Sequence, residues 1–337
     1  MRSRLRALVI LLLTVGLLAF FLRNADMAGV WAETRRARAG LLALAVGITG
    51  LTYVLRALRW QYLLAPIGAA RFSTAFETTV IGFAANFLLP ARAGEVLRPY
   101  LLARRERLPA TAAFATIILE RLLDLVMVLL LFGLFLTTAD AGSLSAPAAV
   151  FAQVKAGGAL AAALALTGLV VLFALAGHPE RLGRAAGRIE RVLPARAAAI
   201  VARFVETFAQ GLAVMRQPRR LAVALVLSCP LWLSIAAGIW LTSHAFHMTF
   251  SYPGSFLVMT LLVVGVAMPT PGAIGGFHAM YQLAVTTFFG APTDRAVGAA
   301  IVLHAIGFVP VTLLGLIFMA REGLSLGRMR DLAVKPS

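Results

Sequence analysis

Three charged residues interrupt a long apolar segment of the sequence and are the first candidates for chemistry. Glu120, Arg121 and Asp124 lie within residues 110–137, where every other residue is uncharged. On a helix that begins near Pro109, a rise of about 1.5 Å per residue places them roughly 16–23 Å from its start. That is near the middle of a hydrocarbon core about 30 Å thick, where a charge costs several kcal/mol unless it is paired or hydrated.

The spacing of these three residues permits two interpretations. Arg121 and Asp124 are three residues apart, so they can pair on one face of a helix. Glu120 and Asp124 are like charges on the same face, so one of them is either protonated or faces a cation. The group is then an interior polar site, or it is a structural ion pair that locks this helix to a neighbour.

A second charged group follows a break in another apolar segment. Arg92, Glu95 and Arg98 are spaced three residues apart after Pro90, and Gly94 lies among them. They form one stripe at the start of a helix, where free backbone N–H groups and guanidinium donors together make a phosphate site. The alternative is that the arginines extend toward the headgroups from a cytoplasmic helix end, which suits Arg98 better than Arg92.

A matching break lies in a later apolar segment. Its helix-breaking residues are Pro269, Pro271, Gly272, Gly275 and Gly276. His278 follows this turn and can titrate near neutral pH, so it is a candidate ion-pair or coupling residue. A satisfied interior histidine explains His278 equally well, and His304 is a weaker candidate for the same role.

Two arginines and a tryptophan end one apolar segment in a pattern typical of a membrane-interface anchor. Arg56, Arg59 and Trp60 follow residues 40–55. Such side chains place their charged or polar ends at the level of the lipid headgroups. The alternative is that they touch a substrate.

No motif for catalysis or metal binding accompanies these residues. The five histidines, at positions 178, 244, 247, 278 and 304, show neither HxxxH nor HExxH spacing, and no P-loop or nucleophile elbow occurs. We therefore expect no catalytic residue, no bound metal, no cofactor and no enzymatic activity.

The composition indicates which kind of fold must position the candidate residues. Of 337 residues, 61% are hydrophobic and 13% are charged, against about 25% charged in an average globular domain, and the mean hydropathy is +0.89. Too few polar residues remain to cover a soluble protein of this size. These values exclude a soluble enzyme, a disordered chain and a disulfide scaffold, and they favour an all-α membrane protein with several spans.

The charge is strongly positive, with 31 basic and 14 acidic residues giving a net charge of +17. A basic excess can indicate nucleic acid, but in so apolar a chain it favours basic loops that set topology and meet anionic headgroups. We therefore predict membrane lipids as partners and no nucleic acid, and a homo-oligomer stays open. The single Cys229 allows no intrachain disulfide.

Apolar segments and arginines together predict the topology. Segments that make most or all of a span are 5–22, 40–55, 125–138, 156–177, 221–246, 251–277 and 296–320, with a weaker one at 72–90. Arginines at both termini and within 178–220 place these parts in the cytoplasm, giving an N-in, C-in protein. Residues 72–102 and 253–289 must then be re-entrant hairpins, which leaves six crossings. One conflict is that loop 23–39, expected outside, holds four arginines.

The order of span, span, broken hairpin and span occurs twice within a single transmembrane domain, 1–337. The first repeat is 1–137, and the second is 150–325 and includes amphipathic cytoplasmic helices at 178–218. Pro90 and Pro271 are 181 residues apart. Because each half has three crossings, an odd number, the second repeat must have the opposite orientation in the membrane. Paired interrupted helices in matching halves are typical of a transporter site near mid-membrane. Coincidence among generic apolar segments is the alternative.

Four motifs together resemble the flippase-like transmembrane domain family, which includes the membrane region of lysylphosphatidylglycerol synthase and related uncharacterised bacterial membrane proteins. They are Arg56-Ala-Leu-Arg-Trp60, Asn86-Phe-Leu-Leu-Pro-Ala-Arg-Ala-Gly-Glu95, Glu120-Arg-Leu-Leu-Asp124 and Pro271-Gly-Ala-Ile-Gly-Gly276. The resemblance covers about residues 5–325, and it implies lipid translocation between leaflets. The family commonly has an acidic residue where this chain has His278, which departs from the pattern. Because the sequence ends at Ser337, we expect no aminoacyl-transferase domain.

These observations predict a lipid translocase of the bacterial inner (plasma) membrane. We expect Arg92, Arg98 or Arg121 to bind an anionic or lipid-linked headgroup between the hairpins. Glu95, Glu120 or Asp124 would bind a cation or proton, or gate the site. On the anchor interpretation, Arg59→Ala should impair transport less than Arg92→Ala. The alternatives are a non-transporting partner of an envelope lipid or glycan synthesis enzyme, or a membrane enzyme that acts on lipid.

Overall fold

The computed structural model describes residues 12, 14–89, 92–138, 144–177, 207–208, 210–212, 217–268 and 270–323. The helices are α1 (14–22), α2 (Met27–Arg36), α3 (Ala39–Leu64), α4 (Phe72–Leu88), α5 (Gly94–Glu106), α6 (Ala110–Thr138), α7 (Ala148–Gly177), α8 (Pro218–Ala245), α9 (Gly254–Ala267), α10 (Gly276–Phe289) and α11 (Thr293–Arg321). A 3₁₀ turn, Pro271–Ala273, lies between α9 and α10. The prediction of an all-helical chain is confirmed for the described residues, which contain no strand.

Four of the described helices are long and apolar enough to cross a membrane, namely α3, α8, α11 and the part of α7 at Ala148–Val171. Helix α6 has 29 residues and carries the three charged residues near its middle. Helix α7 exposes Leu160 and Leu164 at 63% each. Large apolar side chains exposed along a whole helix suit contact with lipid tails rather than with water.

Helices α4 and α5 form the first hairpin, and their backbones touch through two glycines. A Cβ on Gly94 would meet the carbonyl oxygen of Gly82, and a Cβ on Gly82 would lie 2.7 Å from the Cβ of Arg98. Arg92, which opens the second arm, has a φ of 53°, in the left-handed region that non-glycine residues rarely adopt. The close approach of the arms therefore requires both glycines.

Helices α9 and α10 form the second hairpin in the same way. A Cβ on Gly265 would lie 2.5 Å from the carbonyl oxygen of Gly276, and a Cβ on Gly276 would lie 2.5 Å from that of Gly265. The spacing from Gly82 to Gly265 is 183 residues, and from Gly94 to Gly276 it is 182 residues. The two hairpins thus use the same close contact at equivalent positions.

The packing between helices also repeats in the two halves. In the first half α4 packs on α3 and α5, and α5 packs on α6; in the second half α9 packs on α8 and α10, and α10 packs on α11. Across the halves, α11 packs on α4 as α6 packs on α9, and α3 packs against α8. This exchange supports an internal repeat, while the predicted inversion of its second copy and the N-in, C-in topology stay predictions.

The tips of the two hairpins meet. The 3₁₀ turn Pro271–Ala273 of the second hairpin packs on α4, and Arg92 Nη2 of the first donates to the carbonyl oxygen of Val266, 2.8 Å away. Phe87 of α4 and Phe308 of α11 are in contact close by, with ring centroids 4.1 Å apart and the ring planes tilted by 35°. The tips of the two broken hairpins therefore lie against each other and against α11.

Several predictions fall on residues that the structure does not describe. Pro90 and Pro269, two of the expected hairpin breaks, lie outside the described residues, and so does most of the expected amphipathic region 178–218. Within loop 23–39, which was predicted to be a connection, the structure has helix α2. The sequence analysis did not predict this helix.

Candidate functional site

Six charged side chains from three helices form one buried group, which we call the charged cluster. Helix α3 contributes Arg56 and Arg59, α5 contributes Arg98, and α6 contributes Glu120, Arg121 and Asp124. The side chains of Arg59 and Glu120 are fully buried. That of Arg121 is the most accessible, at 38%.

Glu120 lies at the centre of the charged cluster. Its two carboxylate oxygens accept a fork of hydrogen bonds from Arg98, at 2.8 and 3.2 Å. Oε1 also accepts from Arg121 Nη2 at 2.6 Å and lies 3.7 Å from Arg59 Nη2. Three guanidinium groups therefore surround one carboxylate, and the Arg98 fork has the geometry of a strong charge-assisted pair.

Asp124 forms the second acidic position, one helical turn further along α6. Its Oδ1 forms an ion pair with Arg59 Nη1, 2.7 Å away, and accepts a hydrogen bond from the indole N–H of Trp232 on α8 at 2.9 Å. Its Oδ2 faces Arg121 at 3.5 Å and Arg56 at 3.9 Å and is buried without a hydrogen bond. This oxygen is therefore the least satisfied acceptor of the cluster.

Neutral side chains fix the two innermost arginines. Arg59 Nη1 also donates to Ser228 Oγ on α8, at 2.8 Å. The guanidinium of Arg98 lies 3.9 Å from the centroid of the Trp60 ring, and the Trp60 indole N–H donates to Thr116 Oγ1 at 2.9 Å. The positions of Arg59 and Arg98 are thus set by packing and hydrogen bonds as well as by charge.

The charged cluster has more positive than negative charge. Four guanidinium groups face two carboxylates, so two positive charges have no counterion within this group. Arg98 is engaged by Glu120 and Arg59 by Asp124 at short distance, whereas Arg56 has no contact to a carboxylate under 3.9 Å. An unbalanced buried charge is costly, so the arrangement favours binding of an anion.

A small cavity opens beside the cluster, with a volume of about 20 Å³, enough for a single water molecule. It is lined by Gly82, Phe83, Asn86, Gly94, Glu95, Arg98, Ile117 and Arg121. Asn86 Oδ1 is buried and has no hydrogen-bond partner among the described residues. The cavity is therefore a polar opening between the first hairpin and α6.

The predicted stripe on the first hairpin is divided between two environments. Arg98 is inside the charged cluster, and Glu95 lines the cavity. Arg92 lies at the junction of the two hairpins, half exposed, with Nη1 3.5 Å from Glu95 Oε1. The structure thus brings together Arg98, Arg121, Glu120 and Asp124, with Glu95 at the edge and Arg92 outside.

His278 belongs to an aromatic group and not to the charged cluster. Its ring lies 4.6 Å from that of His304, which is stacked on Phe308 at 3.9 Å. His304 Nε2 is 2.8 Å from the carbonyl oxygen of Gly272, and His278 Nδ1 is buried without a partner in the described part of the chain. No group of three or more His, Cys, Asp and Glu residues in the described ranges is arranged to hold a metal ion.

The interpretation of Arg56, Arg59 and Trp60 as an interfacial anchor is wrong. Arg59 and Trp60 are completely buried, and Arg56 is 8% exposed. They face inward because the carboxylates of α6, which need guanidinium partners, lie on that side. The spacing of these three residues indicates their common orientation, since separations of three and four residues place them on one helical face.

Three further residues of the site were missed because they are common in apolar helices. Trp232 and Ser228 on α8 and Thr116 on α6 donate or accept hydrogen bonds within or beside the cluster. Nothing in the sequence around them distinguishes them from ordinary interior residues. Only the packing of α8 against α3 and α6 reveals their role.

Comparison with known proteins gives consistent matches. A family model described as the lysylphosphatidylglycerol synthase TM region matches residues 6–315. The chain is 33% identical over 153 residues to glycosyltransferase AglD of Haloferax volcanii, a segment that covers 44% of this chain and 24% of that protein. It is also 33% identical over 88 residues to the UPF0104 membrane protein MJ1595 of Methanocaldococcus jannaschii, covering 25% of this chain and 26% of that protein. Each matched segment thus spans about a quarter of the relative's length.

Proposed function

Because this chain belongs to the family of the lysylphosphatidylglycerol synthase transmembrane region, we propose that it translocates a lipid with an anionic headgroup between membrane leaflets. The family and the four apolar helices make it a multi-pass membrane protein. Its residence in a bacterial inner membrane is part of the proposal. The proposed substrate class is an anionic phospholipid or a lipid-linked compound whose headgroup bears phosphate.

The observation that carries the proposal is the unbalanced charge of the buried cluster. Two positive charges remain after Glu120 and Asp124 are paired, and two of the four arginines, Arg98 and Arg121, line a polar cavity. A phosphate group would supply the missing negative charge and would accept planar, forked hydrogen bonds from guanidinium groups. A purely structural ion-pair network would be expected to balance its charges.

The proposed architecture is two inverted repeats, N-in and C-in, with a re-entrant hairpin in each. The repeated helix contacts and the matching glycine pairs support the repeat. Paired broken helices that meet at the interface between two repeats are the arrangement that secondary transporters use for a binding site near mid-membrane. The headgroup would cross through this interior while the acyl chains stay in lipid.

Each charged residue has a proposed role in this mechanism. Arg121 is the most accessible guanidinium of the cluster and would meet the headgroup first. Arg98 would hold Glu120 in place, and Glu95 at the cavity wall would gate the site by competing for Arg121. Glu120 and Asp124, or His278 in the second hairpin, are the candidates for ion or proton coupling.

The test is a lipid-flipping assay in proteoliposomes of equal protein density. Fluorescent phosphatidylglycerol is the anionic probe, and fluorescent phosphatidylcholine is the neutral control. Arg121→Gln should slow phosphatidylglycerol flipping roughly ten- to a hundred-fold, the equivalent of one charged hydrogen bond of about 1.5–3 kcal/mol. The variant should still fold, because Glu120 keeps Arg98 and Asp124 keeps Arg59.

A matched control is Arg104→Gln, which removes an exposed arginine at the far end of α5 and should leave the rate unchanged. Equal flipping by wild type and Arg121→Gln would remove the cluster from the substrate path. Equal rates for phosphatidylglycerol and phosphatidylcholine would contradict an anionic substrate.

A second candidate function rests on the similarity to glycosyltransferase AglD. On that view the chain is a non-transporting membrane partner of an enzyme that builds envelope lipids or glycans. It predicts that folded protein flips no lipid and is recovered in a complex with such an enzyme. A membrane enzyme acting on lipid is a weaker candidate, since no nucleophile and base pair is found among the described residues.

A further inference from the structure

Helix α2 lies at the common end of three candidate membrane spans. At its start, the Asp26 N–H donates to Asp294 Oδ1 of α11 at 2.9 Å. At its end, the Arg38 N–H donates to the carbonyl oxygen of Ala245, the last residue of α8, at 3.0 Å, and α3 begins at the next residue. Helix α2 therefore lies at the level where α3 and α11 begin and α8 ends.

One side of α2 is fixed to the bundle, and the acidic residues on and beside α2 accept their hydrogen bonds on that side. Asp26 accepts from the first backbone N–H groups of α2, at 3.1 and 3.0 Å, and caps the helix. Glu33 accepts from Arg295 at 2.9 Å, and Val30 is buried in the core. The orientation of α2 is thus set by contacts on this side.

The opposite side carries exposed apolar and cationic side chains, which we call the α2 surface. It comprises Phe20, Arg23, Met27, Trp31, Arg35 and Arg38. Met27 and Trp31 are 58% and 60% exposed, and with Arg35 they follow each other at four-residue spacing. Arg23 lies 4.2 Å from the centroid of the Phe20 ring, and Arg35 lies 4.9 Å from that of Trp31.

The arginines of the α2 surface have no acidic partner. Among the described residues, Arg23, Arg35 and Arg38 form no ion pair, and the nearby acids Asp26, Glu33 and Asp294 are engaged on the bundle side. Exposed aromatic rings that carry guanidinium groups at the end of membrane spans match the headgroup region, where apolar surface enters the bilayer and cations meet phosphate.

We propose that the α2 surface binds the headgroups of anionic phospholipids in the leaflet that it adjoins. The binding is independent of translocation, because the α2 surface and the charged cluster share no residue. It also gives a role to Arg23, Arg35 and Arg38, three of the four arginines of loop 23–39, on the side where few are expected. Phosphate groups supply the missing counterions while Met27, Trp31 and Phe20 enter the apolar layer.

The test places a reporter on α2 and asks which lipid lies beside it. Ala32 is exposed next to Trp31, so Ala32→Cys in a Cys229→Ser background gives a single site for an environment-sensitive fluorophore. The full chain is reconstituted in phosphatidylcholine nanodiscs that contain equal amounts of brominated phosphatidylglycerol or brominated phosphatidylcholine. At low salt, brominated phosphatidylglycerol should quench the fluorophore about two- to fivefold more than brominated phosphatidylcholine does. This ratio should decline at high salt.

Two sets of variants give the comparison. Arg23→Gln, Arg35→Gln and Arg38→Gln together should bring the quenching ratio to about one, and the corresponding lysine substitutions should keep most of it. The matched control removes three exposed arginines at the other end of the helices, Arg104, Arg219 and Arg321, and should leave the ratio unchanged. Equal quenching by both lipids in the unsubstituted protein would overturn the proposal and would leave the α2 surface to a protein partner.

Discussion

Glu120 is the residue around which the charged cluster is organised. It is fully buried and accepts hydrogen bonds from Arg98 and Arg121, so its charge is compensated locally. A buried ion pair contributes little net stability, because both charges have lost their water. Removing only one partner costs much more, because the other charge is then left buried without water or a counterion. Glu120 and Arg98 should therefore be strongly coupled.

The first prediction at this scale concerns that coupling. Glu120→Gln should destabilise the protein by about 3–5 kcal/mol, because it leaves Arg98 buried with reduced compensation. Adding Arg98→Gln should restore part of the loss, since both charges are then gone. Thermal unfolding in detergent of the wild type, the two single variants and the double variant measures the coupling. Additive losses would contradict a direct Glu120–Arg98 interaction.

At the scale of elements, the two hairpins depend on close backbone contact. Gly82 and Gly94 hold the arms of the first hairpin together, and Gly265 and Gly276 hold those of the second. The close contact brings Arg98 and Glu95 next to α4 and the cavity. The position of the polar site is thus a consequence of a contact that only glycine allows.

The second prediction tests this contact by adding one methyl group. Gly94→Ala would place a Cβ against the backbone oxygen of Gly82, which cannot move aside as a flexible side chain can, so it should separate the arms and lower the melting temperature. Gly133→Ala in α6 is the control, because a Cβ there meets nothing within 4 Å. It should be neutral or stabilising by about 0.5–1 kcal/mol. Equal melting temperatures for the two variants would show that the arms do not need their close approach.

The third prediction concerns the pH dependence of α2 docking. The hydrogen bond from Arg295 lowers the pKa of Glu33 below its usual value of 4.5, against the opposing effect of burial. Because the pKa of Glu33 is lower in the folded state, its charged contact with Arg295 stabilises the protein fully when the pH is above the usual pKa. This stabilisation is lost as the pH falls through the pKa of Glu33 in the folded protein.

The measurement compares wild type with Glu33→Gln over this pH range. The wild type should have the higher melting temperature at pH 7, and the difference should shrink as the pH falls below about 5. A difference that stays constant down to strongly acidic pH would mean that the Glu33 charge has no part in holding α2.

At the scale of the whole molecule, the exchange of contacts between halves is the main feature. Helix α11 of the second half packs on the first hairpin, α6 of the first half packs on the second hairpin, and α3 and α8 meet between them. A movement of one hairpin would therefore change its contacts with helices of both halves. Such a coupling suits a protein that opens alternately to the two sides of a membrane.

The fourth prediction tests the orientation of the repeats. The Cys229→Ser background removes the single native cysteine. In intact cells, Ala32→Cys in this background should react with a membrane-impermeant maleimide added outside. Arg104→Cys, at the base of the first hairpin, should react only after permeabilisation. Labelling of both positions from the same side of the membrane would contradict six crossings with two re-entrant hairpins.

The sequence by itself determined the class of the protein, its family and most of its helices. Apolar segments long enough to span a membrane and breaks at glycine and proline depend on local composition, so α3, α8, α11 and the two hairpins could be predicted. Glu120, Arg121 and Asp124 were identifiable as interior residues because a charge near mid-membrane needs a partner.

Beyond the Arg121–Asp124 pair within α6, which helical spacing predicts, the tertiary structure alone decided which residues those partners are. Arg59 was assigned to the membrane interface because the sequence places it at the end of an apolar segment, yet it is fully buried between Glu120 and Asp124. Trp232 and Ser228 could not be identified at all, since they come from a helix more than a hundred residues away. Helical spacing fixes which side of α3 Arg59 occupies, whereas the packing of α3 against α6 and α8 fixes what that side meets.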